Sequence, residues 1–195
     1  MQLSNGWKIT IDAVRNSKNI FSLLEEKSGF GVTHIGKIEK EDGGFFTSDE
    51  ALSILDAICW YCSFSVGRWT GPCLPFGFDQ NDNPVWQMWD FYRIDPFRKD
   101  ASWLGWGSRR HIFEEPFQGF MKLWLDENWK EVIQLAIYRY VDANSSVSSI
   151  EGSVVLAQVA LELLASAILV ENYALLSKTK YSALSASNKI RELFL

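Results

Sequence analysis

The sequence predicts an α+β protein: a small N-terminal antiparallel β-rich part with one long helix, followed by a C-terminal helical bundle. Two segments before residue 41 alternate apolar with polar residues, whereas apolar residues recur at helical spacing between 48 and 66 and again after 116. The composition, 47% apolar and 22% charged, is typical of a folded globular chain. With 195 residues, the chain is long enough to bury a core in one domain or in two small ones.

Two strands are expected near the N-terminus. Residues 7–14 alternate apolar with polar side chains and form the first strand. Residues 31–40 form the second, which carries apolar residues on both faces and is therefore expected to be covered on both sides. The polar stretch 15–29 connects the two strands, with a helical turn at 21–26.

A long helix comes next in the chain. Thr47 or Ser48 is the expected N-cap, because a side-chain oxygen at that position accepts a hydrogen bond from a free backbone N–H. The helical spacing continues to about Val66, and Gly67 is expected to end the helix.

The middle of the chain joins a β-rich part to a helical one. Residues 69–90 predict two short strands around a hydrated loop. Residues 91–116 are rich in Trp, Gly, Arg and Pro without a clean period, and they predict an irregular connector. We expect residues 1–112 to form an N-terminal α+β domain and residues 113–195 to form a C-terminal helical domain.

Four helices are expected in the C-terminal domain, at residues 117–125, 129–144, 147–171 and 188–195. The third is the most apolar, and Ser148 or Ser149 is its expected N-cap. Its apolar stretch is about seventeen residues long and contains Gln158 and Glu162. A membrane span needs about twenty residues, and a central carboxylate there costs several kcal/mol, so we expect a buried core helix.

The polar residues of this apolar helix share one face. Glu151, Gln158 and Glu162 are spaced by seven and then four residues. A buried carboxylate needs a partner, and Arg139 or Lys130 on the preceding helix is the expected one. The alternative is that this face is simply the edge of the helix that meets solvent.

The charge balance limits the partners. A formal net charge of −5 argues against broad DNA binding, which needs a clustered basic face. Arg109 and Arg110 are the candidate for a basic site, and they form either a solvated surface pair or a local basic pocket. The N-terminus has no signal-peptide pattern and the chain has three cysteines, so a reducing cytoplasm is the expected location.

No catalytic, metal-binding or cofactor motif is recognisable in the sequence. Cys59 and Cys62 lie inside the long predicted helix with apolar neighbours, and no second ligand pair accompanies them. We therefore interpret them as buried free cysteines, and we expect no metal and no cofactor.

The order of the segments resembles that of known proteins. Val32-Thr33-His34-Ile35-Gly36-Lys37-Ile38-Glu39-Lys40-Glu41-Asp42-Gly43 precedes the helix 48–67, and Ile150-Glu151-Gly152 and Val155-Leu156-Ala157-Gln158-Val159-Ala160-Leu161-Glu162-Leu163-Leu164 follow later. This order is similar to that of a group of bacterial, often cyanobacterial, uncharacterised proteins. More distantly, it resembles abortive-infection proteins that join a β-rich N-terminal domain to a C-terminal HEPN domain.

The resemblance implies a helical bundle that pairs as a dimer. Many HEPN domains are metal-independent ribonucleases of phage defence or toxin–antitoxin systems, with an arginine followed after four to six residues by a histidine. This sequence departs from that motif, because Arg109, Arg110 and His111 are adjacent and outside the helical block. Arg139 is followed at the matching distance by Asn144. The ribonuclease activity is therefore not carried over, and the last helix is expected to be shortened or completed by another chain.

The leading hypothesis is a non-catalytic HEPN-like protein, associated with phage defence or a toxin–antitoxin system, that binds a partner chain or RNA. Homo-oligomers through the C-terminal helices are expected, helped by the apolar Leu193, Phe194 and Leu195. The candidate binding residues are Arg68, Arg139, Glu151, Gln158, Glu162, Arg109 and Arg110, with the arginines contacting phosphate or carboxylate. The alternatives are a scaffold module without nucleic-acid binding and a small-molecule binder with a Trp-rich pocket between Trp60 and Trp106.

Overall fold

The computed structural model describes residues 6–89, 92–98, 110–145 and 149–194, with the backbone alone for 110–113. The fold is α+β, as predicted: a small antiparallel β part lies at the N-terminus and a helical region at the C-terminus. The chain divides into two compact units, Met1–Met121 and Lys122–Leu195. A boundary at residue 112 would fall inside a helix, and it stays a prediction.

The N-terminal sheet has two strands. β1 (Trp7–Ala13) pairs antiparallel with β2 (His34–Lys40), with Trp7 opposite Lys40. Trp7 and Ile9 of β1 are buried, which confirms the predicted alternation. The expected double cover of the second strand is wrong, because the side chain of Ile35 is 68% exposed. One face of β1 is buried at its N-terminal end, whereas no residue of β2 is buried.

A helix connects these strands where a polar connector was expected. α1 (Ser17–Lys27) has a single buried residue, Leu24, and its N-cap residue Asn16 makes no side-chain capping bond. The signals that mark a helix in a sequence are an apolar face and a cap. Both are weak here, so the sequence indicated only a turn.

The buried helix of the first unit is α2 (Ser48–Val66). The Thr47 Oγ1 atom accepts a hydrogen bond from the Glu50 backbone N–H at 3.2 Å, and the Glu50 carboxylate accepts one from the Thr47 N–H at 2.9 Å. Gly67 ends the helix with φ = 67°, a left-handed conformation that glycine adopts without strain. Nine of its nineteen residues are buried, and the ring of Tyr61 lies 4.8 Å from that of Phe117.

A short hairpin and a third helix complete this unit. β3 (Phe76–Phe78) pairs antiparallel with β4 (Pro84–Gln87), as the turn residues between them predicted. α3 (Arg110–Trp124) begins earlier than expected and contains Pro116. Proline usually marks a helix boundary because it lacks an N–H. Here the helix continues through it, so the start predicted at 117 is wrong.

The second unit consists of helices. α4 (Glu127–Ala143) is capped by Asp126, and α5 (Ile150–Ser166) is capped by Ser149, whose Oγ accepts the Gly152 N–H at 3.1 Å. α5 packs along α4 and continues as a π-helical segment, Ala167–Asn172. Of the two expected caps of this helix, Ser148 and Ser149, the structure shows Ser149. Two short helices follow, at Lys178–Ser182 (α6) and Ala186–Glu192 (α7).

The apolar helix α5 is exposed along its first half. Only Ala160 and Ala165 are buried between Ile150 and Ser166, so the prediction of a buried core helix is wrong. Within the described ranges one helical stretch, Ile150–Asn172, has the length and composition that could cross a membrane. About a fifth of it is buried in the chain (22% of its most apolar window). Apolarity along a sequence does not tell whether the covering partner belongs to the same chain.

Candidate functional site

The first half of α5 presents an apolar surface, which we call the open face: Ile150, Val154, Val155 and Val159. Their exposed fractions are 82%, 60%, 58% and 44%, so exposure falls along the helix until Ala160 is buried. Ile150 and Val154, like Val155 and Val159, are four residues apart and lie one above the other. The open face therefore consists of two exposed aliphatic rows, Ile150 with Val154 and Val155 with Val159, on either side of Glu151 and Gln158.

The second half of α5 and its π-helical continuation are covered by the segments that follow. Ala165, Leu169 and Tyr181 form a buried cluster. The Tyr181 hydroxyl donates a hydrogen bond to the Glu162 backbone carbonyl at 2.8 Å, which fixes α6 against α5. The helix thus has one covered half and one open half.

The predicted polar face of this helix forms in part. The Gln158 side-chain amide donates to one Glu162 oxygen at 2.8 Å, and Lys189 Nζ lies 3.1 Å from the other. These hydrogen bonds, from Gln158 first and then from Lys189, lower the pKa of Glu162. Glu151 stands apart in the first turn. Its own backbone N–H and then the Ser149 hydroxyl lower its pKa.

The expected cation partner for Glu162 is wrong. The Arg139 guanidinium lies over the Tyr138 ring, 5.7 Å from its centroid, and Lys130 Nζ lies 4.8 Å from a Trp124 ring centroid. Lys189 of α7 takes the place predicted for them. The sequence offered one signal for this residue: after Glu162, cations first reappear at 178 and beyond, in segments able to fold back on α5.

A second group of candidate residues lies in the first unit, around Arg68. Its guanidinium lies over the ring of buried Phe97, 5.1 Å from the centroid. Burial first, and then the positive charge of Arg98, lower the pKa of Arg68, while Asp95 opposes the shift. Asp95 itself accepts the Trp69 N–H at 3.2 Å. Arg68 is therefore a half-buried cation near aromatic rings, where phosphate or carboxylate binding was predicted.

The two helical cysteines are free thiols, as predicted. Burial raises the pKa of Cys59 to about 12 and that of Cys62 to about 12. At neutral pH both thiols are therefore protonated, whereas thiol–disulfide exchange requires the thiolate. Among the described residues, no three His, Cys, Asp or Glu side chains cluster in a way that could hold a metal ion.

Several predicted positions lie outside the described residues. Arg109, Trp103 and Trp106 are among them, and the side chains of Arg110 and His111 are not described. Of the tryptophans that are described, Trp60 and Trp69 pack edge to face with their ring centroids 5.2 Å apart, while Trp89 is 71% exposed. The Trp-rich ligand pocket therefore stays a prediction.

Comparisons with known proteins match most of the chain. Residues 3–100 match the family model described as the YopA central domain, and residues 126–195 match that of the YopA C-terminal domain. One relative, the SPbeta prophage-derived uncharacterized protein YopA of Bacillus subtilis (strain 168), is 29% identical over 190 residues. The match covers 96% of this chain and 43% of the relative, so the chain spans less than half of that protein's length. No solved structure matches.

Proposed function

Because the chain belongs to the YopA family, which has a prophage-encoded member, we propose that it is a non-catalytic association module that pairs with a second copy of itself. The observation that carries this proposal is the open face of α5. A phage-linked role is supported by the prophage origin of the relative. The HEPN-like character, the defence role, RNA binding and the cytoplasmic location rest on the sequence alone and stay hypotheses.

The energy available from the open face fits a reversible dimer. Fully burying an aliphatic side chain contributes about 1.5–3 kcal/mol, so side chains that are roughly half exposed contribute about 1 kcal/mol each. Eight of them in a pair would contribute about 8 kcal/mol, and the smallest association cost, about 4 kcal/mol, leaves a net of about 4 kcal/mol. This net corresponds to a dissociation constant on the order of 1 mM, so we expect a weak dimer that assembles as the concentration approaches the millimolar range.

The spacing of the open face is self-complementary. In an antiparallel pair of α5 helices with the twofold axis between Val154 and Val155, Ile150 is level with the partner's Val159. Val154 is likewise level with the partner's Val155. Because successive residues turn by about 100°, Glu151 and Gln158 project between the two valines, and Glu151 is level with the partner's Gln158. A carboxylate would then meet an amide donor instead of another carboxylate.

This complementarity favours a second copy over a lipid surface or RNA. Glu151 and Gln158 would lose their hydration in a bilayer without gaining a partner, whereas a protein seam supplies one. RNA needs a clustered basic face. Residues 122–195 contain seven Lys and Arg against eight Asp and Glu. Closed twofold dimers are also the commonest form of homo-oligomer.

Sedimentation equilibrium of the intact chain tests the proposal, from about 50 μM to about 1 mM, the range that leads up to the expected dissociation constant. We expect the average mass of the wild type to rise clearly above its monomer mass of 22.3 kDa and Val155→Lys to stay monomeric. Val85→Lys is the matched control, because Val85 is also exposed (65%) but lies in β4. A monomeric wild type, or a dimer unaffected by Val155→Lys, would refute the proposal.

A further inference from the structure

Arg68 carries a charge that the described part of the chain leaves unpaired. Its Nε atom is buried and has no hydrogen-bond acceptor. No carboxylate within the described ranges lies at ion-pair distance from its guanidinium. A buried donor without an acceptor is unfavourable, and native proteins keep such groups mainly where a ligand or a function uses them.

The guanidinium of Arg68 is held in place by its surroundings. It lies over the ring of Phe97, which packs edge-on against Phe21 with the ring centroids 6.1 Å apart. The Phe97 backbone is fixed at both ends: its N–H donates to the Gly29 carbonyl at 2.8 Å, and its carbonyl accepts the Ser28 hydroxyl at 3.1 Å. The cation therefore sits on a rigid aromatic platform before any ligand arrives.

The charges around this platform do not balance. Arg98, next to Phe97 in the chain, is close enough for its charge to act on Arg68. Within the described residues, Asp95 is the one carboxylate whose charge acts on Arg68. Asp95 already accepts a hydrogen bond from the Trp69 N–H and lies 3.9 Å from Arg93 Nε. Among the described residues around this platform, three arginines thus stand against one carboxylate, which is an excess of two positive charges.

We propose that Arg68 and Arg98 form a binding site for a phosphate group, either inorganic phosphate or a phosphate monoester. A monoester carries a charge of about −1.5 to −2 at pH 7, which matches the local excess, whereas a carboxylate neutralises half of it. The planar fork of a guanidinium also presents paired N–H donors that fit phosphate oxygens. This site belongs to the first unit and does not depend on the dimer proposed for the second.

The test is a titration of the intact chain with inorganic phosphate at low ionic strength, followed by calorimetry and by thermal unfolding. Acetate at matched ionic strength serves as the carboxylate probe, and adenosine monophosphate serves as the monoester. We expect phosphate or the monoester to bind and to raise the Tm, and acetate to do neither. The tighter of the two phosphate probes identifies the source of the group.

Variants assign the site. Arg98→Met should bind phosphate at least about tenfold more weakly, as the loss of one charge-assisted contact implies. Arg68→Met should lose the response and, without phosphate, unfold at a higher temperature than the wild type because the unpaired charge is gone. Arg15→Met is the matched control on an exposed arginine and should bind like the wild type.

Three results would overturn the proposal: wild-type phosphate affinity in both Arg68→Met and Arg98→Met, equal binding of acetate, or no response of the wild type. If Arg68→Met does not fold, Arg98→Met decides the question. Val155→Lys should bind phosphate like the wild type, so failure of the dimer and failure of this site are distinguishable.

Discussion

Two apolar helices of similar length differ in how much of their surface the chain buries. α2 has nineteen residues and α5 has seventeen, and each begins at a capping hydroxyl, Thr47 or Ser149. α2 buries nine residues inside its own unit, whereas α5 buries two, Ala160 and Ala165. Local sequence signals thus form a helix in both cases. What covers the helix depends on the neighbours that the chain supplies, and among the described residues none covers the first half of α5.

The largest expected difference between the two helices is the cost of truncating a side chain. Tyr61 of α2 is 1% exposed and packs against Phe117 and Phe120. We expect Tyr61→Ala to lower the free energy of unfolding by about 3–5 kcal/mol, since it opens a cavity. The measurement is urea unfolding followed by circular dichroism.

The matched change on α5 is Val154→Ala, measured with monomeric protein at low concentration. It removes a side chain that is already 60% exposed, so we expect a loss below about 0.5 kcal/mol. Equal losses of unfolding free energy for Tyr61→Ala and Val154→Ala would contradict the difference in burial between α2 and α5.

A second difference concerns high pH. Burial raises the pKa of the thiols of Cys59 and Cys62 in α2 to about 12, from 9.0 in an unfolded chain. Folding therefore favours the protonated thiols: their contribution to stability is complete below pH 9 and is lost as the pH rises towards 12. We expect the first unit to lose on the order of 2 kcal/mol for each thiol between pH 8 and pH 10.5, measured by urea unfolding.

A Cys59→Ala, Cys62→Ala double variant is the control, and its stability should change less over the same pH interval. A variant that loses as much as the wild type would show that these thiols are not the source of the dependence.

The smallest expected effect concerns the covered half of α5. Lys189 and Glu162 form an ion pair at 3.1 Å with side chains 20% and 25% exposed. Pairs of this kind contribute about 0.5–1 kcal/mol, so Lys189→Met should cost that much, and Lys180→Met, on an exposed lysine, should cost nothing measurable. Equal unfolding free energies of the two variants would contradict the pairing.

The pH dependence of this pair has a definite sign. Gln158 and Lys189 lower the pKa of Glu162, so the pair stabilises the fold above the unfolded pKa of about 4.5 and less as the pH falls through the folded value. The difference between wild type and Lys189→Met should therefore shrink from pH 7 to pH 3. A constant difference would indicate that Lys189 acts through packing alone.

Local signals explain how much of the fold the sequence predicted. The capping box at Thr47, the terminating Gly67 and the alternation around Ile9 each act within a few residues, so α2 and β1 were placed correctly. α1 lacks a side-chain cap and α3 contains Pro116, so their starts were missed.

The candidate site was predicted less completely, because it depends on contacts between distant residues. Gln158 and Glu162 share a helix face by their spacing alone, and the structure brings them together. The partner Lys189 comes from 27 residues away, so the only sequence signal for it was that basic residues reappear at 178 and beyond. The exposure of Val154 and Val155 could not be predicted either, because an apolar helix has the same sequence pattern whether its partner lies in its own chain or in another.

The central claim, that a second copy covers the first half of α5, is tested most directly by amide hydrogen exchange at two protein concentrations, about 10 μM and about 1 mM, of which only the second reaches the expected association range. We predict that peptides covering 150–159 exchange about twofold more slowly at the higher concentration, while those of α2 do not change. Exchange in 150–159 that is independent of concentration would contradict the account and leave the open face of α5 without its proposed partner.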